Sequence, residues 1–198
     1  MADHYYTANP QSAHDERTVQ VEALGLRLRF TTDAGVFSKD GLDRGTELLL
    51  EALPPLAGRV LDLGCGWGAV GVTLAAKYPG LELVMTDINA RAVDLARRNL
   101  AANGARAEVV AGDGFEAVTG AFDAIVTNPP IRAGKAVIYG LFERARDFLA
   151  PGGALYLVIR KQQGAPSALK FLREIYAEAE VVERGGGFWV IRASMAAE

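Results

Sequence analysis

The tetrapeptide Asn128-Pro129-Pro130-Ile131 joins a side-chain amide to two residues that lack a backbone N–H. Consecutive prolines fix φ near about −65° and force a rigid, extended segment with no donors of its own. The Asn128 side-chain oxygen and the Pro129 carbonyl can then face one point as paired acceptors. Such a pair suits a planar amine conjugated to a heterocycle, a poor nucleophile because its lone pair is delocalised. Holding both N–H bonds favours the pyramidal form and aims the lone pair at an electrophile, with Asn128, Pro129 and Pro130 as the catalytic segment. The main lever is alignment for in-line displacement. A Pro-Pro turn begun by Asn is the purely structural alternative.

The electrophile has to be held by another part of the chain, and residues 58–68 are built for that. The apolar run Val60 to Leu63 ends in Gly64, Gly66 and Gly68, and a helix-compatible stretch begins at once. This reads as a buried strand, a tight turn and a helix N-terminus whose free N–H groups face a ligand. Gly66, Gly68 and Gly71 satisfy the dinucleotide pattern G-x-G-x-x-G, with Asp87 placed for a ribose. The same residues satisfy Asp-x-Gly-x-Gly-x-Gly with Asp62 at its head, which resembles motif I of the class I S-adenosylmethionine-dependent methyltransferases. A carboxylate facing the loop suits a cofactor with a cationic amino-acid end and is unfavourable beside a pyrophosphate. Together with the acceptor pair, the loop points to S-adenosylmethionine, with no metal required.

Further acids fall at later strand ends, where ligands of open α/β sheets gather. Asp87, followed by Ile88, can accept from two vicinal ribose hydroxyls. Asp113, within Gly112-Asp113-Gly114, can read an exocyclic adenine amine. Each alone could equally be a turn or cap residue. Cys65 is the sole cysteine, which excludes an internal disulfide and a cysteine metal cluster. Its place inside the glycine loop reads as a small residue that fits, over a reactive thiol.

These residues need a frame of alternating strands and helices. Val19–Ala23 and Leu24–Phe30 predict a hairpin closed near Gly25. A short helix follows from Gly45 or Thr46, stopped by Pro54-Pro55. The spacing then predicts strands over 58–63, 81–86, 107–111, 121–127 and 154–159, with helices over 69–77, from Asn89 to Asn103-Gly104, 135–149 and 166–179. Val181-Val182 and Phe188–Ile191 predict a terminal hairpin around Gly185-Gly186-Gly187. Alternating βα units demand a mostly parallel sheet covered on both faces. The expected division is an arm and hairpin over 1–44, packed on one globular domain over 45–198.

At 198 residues, half of them apolar, the chain suffices for one α/β domain with a short extension. No stretch is apolar and long enough for a membrane span, and no signal-peptide pattern opens the sequence, so a cytoplasmic protein is expected. The net charge of −3 argues against indiscriminate nucleic-acid binding. Between Arg132 and Arg173, however, eight basic residues face two acids, Glu143 and Asp147. A local basic face on an acidic protein can hold phosphates, and ordinary solvated helix faces are the alternative. Whether the chain is a monomer or a homodimer stays open.

The chain resembles the small-methyltransferase (MTS) family of class I S-adenosylmethionine-dependent enzymes, which includes the guanine-N2 methyltransferases of small-subunit ribosomal RNA. The resemblance rests on His4-Tyr5-Tyr6-Thr7, Gly35-Val36-Phe37-Ser38, Leu42-Asp43-Arg44-Gly45-Thr46, the glycine loop, Thr127-Asn128-Pro129-Pro130-Ile131-Arg132 and Lys161-Gln162-Gln163-Gly164. It implies a Rossmann-like α/β fold, with a mostly parallel seven-stranded sheet and a C-terminal antiparallel hairpin. It also implies that Asp62 and Gly64 to Gly68 hold the methionine part of the cofactor, Asp87 the ribose, Asp113 the adenine, and Asn128 with Pro129 the target amine. Relatives that methylate adenine or glutamine usually carry an aromatic after the prolines; Ile131 matches the guanine-N2 branch. Stacking would then fall to Phe37, Tyr5 or Tyr6. On this reading Arg132, Lys135, Arg160 and Lys161 hold phosphates flanking an unpaired or flipped base of an RNA substrate. A small molecule or a protein amide as substrate, and a non-catalytic module for RNA assembly, are the alternatives.

Overall fold

The computed structural model describes residues 12–197. His4-Tyr5-Tyr6-Thr7, with the stacking role expected of its tyrosines, lies outside the described residues. Arg17–Ala23 (β1) and Leu26–Thr32 (β2) pair antiparallel, with Val19 opposite Phe30. The turn is Leu24-Gly25, both at positive φ (50° and 76°). Leu24 was expected to begin the second strand; it is a turn residue, because a two-residue hairpin loop that follows strand twist needs positive φ at both positions. Two asparagines of a distant helix clamp the backbone of β2. Asn99 bonds the N–H and C=O of Thr31, and Asn103 those of Arg29.

The main sheet has seven strands: Arg59–Leu63 (β3), Glu82–Asp87 (β4), Glu108–Ala111 (β5), Phe122–Thr127 (β6), Leu149–Arg160 (β7), Glu178–Gly185 (β8) and Phe188–Ser194 (β9). Their spatial order is β5-β4-β3-β6-β7-β9-β8, parallel from β5 through β7 and antiparallel in the last two pairs. The chain works outward from β3 to one edge and then returns to its other side at β6. The β3–β6 junction is therefore the point where the strand order reverses, the place above the carboxyl ends where open α/β sheets bind ligands.

Among the described residues, five α-helices cover the sheet: Arg44–Ala52 (α1), Ala69–Lys77 (α2), Ala90–Ala102 (α3), Lys135–Ala145 (α4) and Ala165–Ile175 (α5). The apolar side chains divide into two clusters, as a sheet covered on both faces requires. One contains Leu49, Val60, Val72, Met85, Ala96 and Val126. The other contains Leu61, Ile125, Ile138, Phe142, Leu157 and Leu172. Adjacent residues of one strand (Val60 and Leu61, Ile125 and Val126) fall in opposite clusters, the period-two alternation of a strand buried on both sides.

Three boundaries differ from expectation. The helix expected over 135–149 ends at Ala145, passes through a 3-10 turn at Arg146–Phe148, and β7 already begins at Leu149. Pro151-Gly152-Gly153, expected as the stop before a strand, lies inside β7. There the pairing slips from Phe122↔Leu149 to Ala124↔Ala154, so four residues of β7 bulge against one of β6. Gly153 is required at that slip, since a Cβ would come within 2.9 Å of the carbonyls of Ala150 and Phe122. The last helix ends at Ile175, not Ala179, because Glu178 onward pairs with β9.

Candidate active site

The glycine loop joins β3 to α2, and its backbone is pinned from below. Gly64 and Cys65 both donate to the Thr86 carbonyl at the end of β4 (2.8 and 2.9 Å). Gly66 N–H donates to one Asp87 carboxylate oxygen (2.8 Å), and Asn89 N–H donates to the other (2.8 Å). Asp62, only 2 % exposed, accepts from Gly71 N–H in the first turn of α2 (2.8 Å). Expected simply as a cofactor contact under the crevice, Asp62 thus also ties β3 to the helix. Each carboxylate keeps lone pairs for further donors, because a carboxylate offers about four acceptor sites.

Burial governs the protonation of this half of the site. Desolvation pushes the Asp62 carboxyl up to about 7; the Gly71 N–H opposes the shift and the nearby Asp87 adds to it. Asp87 is likewise raised by burial, against the N–H groups of Asn89, Gly66 and Ile88. The Cys65 thiol is raised first by burial and then by Asp62 and Asp87. A thiol so disfavoured as thiolate is a poor nucleophile, which agrees with Cys65 being a small residue that fits.

The outer side of the loop is open at two of its glycines. Gly64 and Gly66 sit at positive φ (73° and 55°), and a Cβ at either would meet nothing within 4 Å. The groups acting on Asp62 include no cation among the described residues, so a positive charge brought into the crevice would relieve its raised proton affinity. Gly112 N–H donates to the Asp87 carbonyl (3.0 Å), which sets Asp113 beside Asp87 on the neighbouring strand end.

Across the junction, β6 delivers the Asn-Pro-Pro segment. Thr127 Oγ1 donates to the Leu63 carbonyl (2.7 Å), stitching the last residue of β6 to that of β3. The next residue, Asn128, is held through its amide nitrogen, which donates to Thr46 Oγ1 (3.0 Å) on α1. After the prolines, Ile131–Ala133 form a 3-10 turn in which Ala133 N–H bonds the Pro130 carbonyl (2.8 Å). Beside it lies a cavity of about 120 Å³ lined by Ile131, Lys135, Ile138, Tyr139, Ile159, Gln163, Gly164 and Ser167. A larger concavity of about 550 Å³, between the β1–β2 turn and α1, contains none of the expected site residues. Its charged lining is Glu22, Glu47 and Glu51 against Arg27, which suits neither a phosphate nor a carboxylate.

Phe37, 41 % exposed, is brought to the glycine loop, because its carbonyl accepts from Trp67 Nε1 (2.9 Å). Trp67 packs edge-on against Phe30, and its carbonyl is held by the buried Asn99 side chain (2.7 Å). Asn89, capping α3, holds the Gly35 carbonyl (2.9 Å), so the 33–38 link is tied to the turn after β4 as well as to the glycine loop. The basic segment is not one face. Lys135 stands over the Tyr139 ring beside the small cavity, whereas Arg160 stands over Phe188 on the α1 side. Arg144 covers Phe115 and Arg173 bonds the Ala179 carbonyl. Lys161 begins the 3-10 turn after β7 and is anchored by its N–H to Gly187 (2.9 Å). Sequence reasoning missed Asp43, Thr46, Trp67 and Asn99 as supports of the site; Asp43 and Thr46 stood within a recognised motif, and Asn99 carried no signal.

Residues 27–192 match the family model described as methyltransferase small domain. A Bacillus subtilis protein, YbxB, is 39% identical over 198 residues, which cover 98% of each chain. The ribosomal RNA small subunit methyltransferase C of Pasteurella multocida is 45% identical over 72% of this chain and 44% of its own. Among solved structures, the 16S rRNA N2 G1207 methyltransferase of T. thermophilus, in complex with AdoMet and guanosine, superposes with a TM-score of 0.83. It is 31% identical, over 94% of this chain and 52% of that one. The chain thus spans about half the length of the ribosomal RNA methyltransferases it matches.

Proposed function

This chain belongs to the methyltransferase small domain family, and from that premise we propose that it methylates an exocyclic base amine, guanine N2 of ribosomal RNA, from S-adenosylmethionine. The observation that carries the reading is the position of Asn128. It follows directly on the residue that bonds β6 to β3, so the acceptor segment borders the cradle of Gly64 to Gly68. The ribosomal RNA names of the relatives and the guanosine in the T. thermophilus structure support the base and the class of RNA.

S-adenosylmethionine supplies, when bound, an electrophilic methyl group on a cationic sulfur. Gly64, Cys65, Gly66 and Gly68 bring backbone close to its methionine end, with the Asp62 carboxylate beneath. Asp87 accepts from the ribose hydroxyls with the acceptor capacity left beside its backbone donors Gly66, Ile88 and Asn89, and Asp113 takes the adenine amine. Asn128 Oδ1 and the Pro129 carbonyl accept the two N–H bonds of the target amine and orient its lone pair. The amine nitrogen would become cationic as its bond to the methyl carbon forms, the carbon–sulfur bond breaks and S-adenosylhomocysteine leaves, and these acceptors would stabilise its protons until one passes to water. Ile131 forms an apolar wall for the base, Phe37 caps the crevice, and Arg132, Lys135, Arg160 and Lys161 hold flanking phosphates from two sides. The base must be unpaired or flipped, since its amine has to reach the acceptors.

Incubation with tritiated S-adenosylmethionine and total RNA from a strain lacking the protein tests this reading. Label recovered as N2-methylguanosine in small-subunit ribosomal RNA is the expected result. Label in another nucleoside overturns the base assignment, and label only in protein or in small molecules overturns the RNA assignment.

A further inference from the structure

An asparagine amide can orient a substrate amine only if its oxygen, not its nitrogen, faces the crevice. The two orientations have nearly the same shape, so something must choose between them. Asp43 N-caps α1: one carboxylate oxygen accepts from Gly45 and Thr46 N–H (3.0 and 3.2 Å), and the other accepts from the Thr46 hydroxyl (2.5 Å). Thr46, 4 % exposed, is in turn the partner of the Asn128 amide at 3.0 Å. Asn128 Oδ1 has no partner among the described residues.

We propose that Asp43 and Thr46 form a polarity relay that fixes which end of the Asn128 amide faces the substrate. The proposal rests on the acceptor role given to Asn128 above. An ionised carboxylate only accepts, so the one hydroxyl proton of Thr46 points to Asp43. The Thr46 oxygen is left with lone pairs alone toward Asn128. Only the NH2 end of the amide can satisfy them, and Oδ1 is therefore turned away from Thr46, toward the target amine. The N-cap ties Thr46 to Asp43 through the backbone as well, and Gly45 lets α1 press against Phe188, where a Cβ would meet the ring at 2.8 Å. Asp43 and Thr46 are positioning residues, since they act through Asn128 and touch no substrate.

The direction of the relay can be reversed without removing a single heavy-atom contact. In Asp43→Asn the side-chain oxygen must stay on the helix N–H groups, because only it can accept them. The new NH2 then faces Thr46, whose hydroxyl turns its proton outward to Asn128. Asn128 must flip, which presents its NH2 to the substrate. The variant should fold with a melting temperature near that of the wild type, since asparagine caps helices about as well as aspartate. Its kcat should fall by about tenfold or more, the size of one hydrogen-bond preference, with KM for S-adenosylmethionine unchanged. Thr46→Val should lower kcat similarly, and Thr46→Ser, which keeps the hydroxyl, should recover most of that loss.

Two readouts separate the relay from the proposed reaction. In 15N-labelled protein, the Asn128 side-chain NH2 protons should show a cross-relaxation peak to the Thr46 methyl group, and Asp43→Asn should abolish it. Absence of that peak in the wild type overturns the relay, whatever the activity. With unmethylated 16S ribosomal RNA as substrate, inactive wild type would count against the proposed function alone. Active wild type with kcat unchanged in both Asp43→Asn and Thr46→Val overturns the positioning role.

Discussion

The two sides of the β3–β6 junction solve the same problem by different means. On the β3–β4 side the site is made of backbone: loop N–H groups tied down by Thr86 and Asp87, glycines at positive φ, and a buried carboxylate under the first turn of α2. On the β6–β7 side it is made of side chains, and Asn128 takes its orientation from a helix 82 residues away in sequence. The first side is held by backbone hydrogen bonds between neighbouring strand ends, and suits one fixed ligand. The second is assembled from elements far apart in sequence, and suits a substrate read by side chains. If this division is correct, the two sides should fail separately.

The largest separate failure is expected at Asn128. Asn128→Ala should lower kcat by about 10²- to 10³-fold, the scale of losing one aligned hydrogen-bonding group at a reacting centre. Calorimetry should find the affinity for S-adenosylmethionine unchanged, and a matching loss of affinity would erase the division. On the other side, Asp87→Ala should weaken cofactor binding by about tenfold to a hundredfold, the range for hydrogen bonds to a charged group. Saturating cofactor should then restore most of the turnover. If turnover stays low at saturation, Asp87 serves more than the ribose.

A finer separation uses pH. With its carboxyl raised to about 7, Asp62 holds a proton in the free protein below that pH, and a cationic ligand end expels it. Affinity for S-adenosylmethionine should therefore climb by up to about tenfold per pH unit as pH rises toward 7 and then level off. Calorimetry in buffers of different ionisation enthalpy should register proton release near pH 6, and Asp62→Asn should remove the Asp62 share, leaving whatever the raised Asp87 adds. Proton uptake on binding would contradict the assignment. The smallest effect belongs to the phosphate contacts. Lys161→Ala should reduce the salt dependence of RNA binding by about one unit of slope while leaving cofactor affinity alone.

What the sequence disclosed follows the same division. The glycine loop, Asp62, Asp87 and Asn128 were legible because strand, turn and helix signals lie next to them, and the mostly parallel sheet followed from alternating βα units, whereas the order of its strands is visible only in the fold. The relay was not legible, because Asp43 and Thr46 meet Asn128 only through tertiary packing of α1. The same holds for Asn99, a residue in mid-helix that secures both β2 and the glycine loop. Boundaries failed where pairing overrode local punctuation. Pro151-Gly152-Gly153 is a stop signal to the eye and a bulge in the sheet, and 176–179 carries helix-forming alanines yet turns away to join β9. The basic residues show a third limit: their count was readable, but their division between the α4 side and the α1 side depends on the alternation along β7, with Ile159 facing one way and Arg160 the other.

A crystal structure with S-adenosylhomocysteine and guanosine bound together tests the central claim most directly. The account predicts the ribose on Asp87, the thioether sulfur above Gly64 to Gly68, and the guanine amine on Asn128 Oδ1 and the Pro129 carbonyl with its nitrogen pointed at that sulfur. A guanosine bound elsewhere, or an amine turned away from the sulfur with Asn128 presenting its nitrogen, would contradict it.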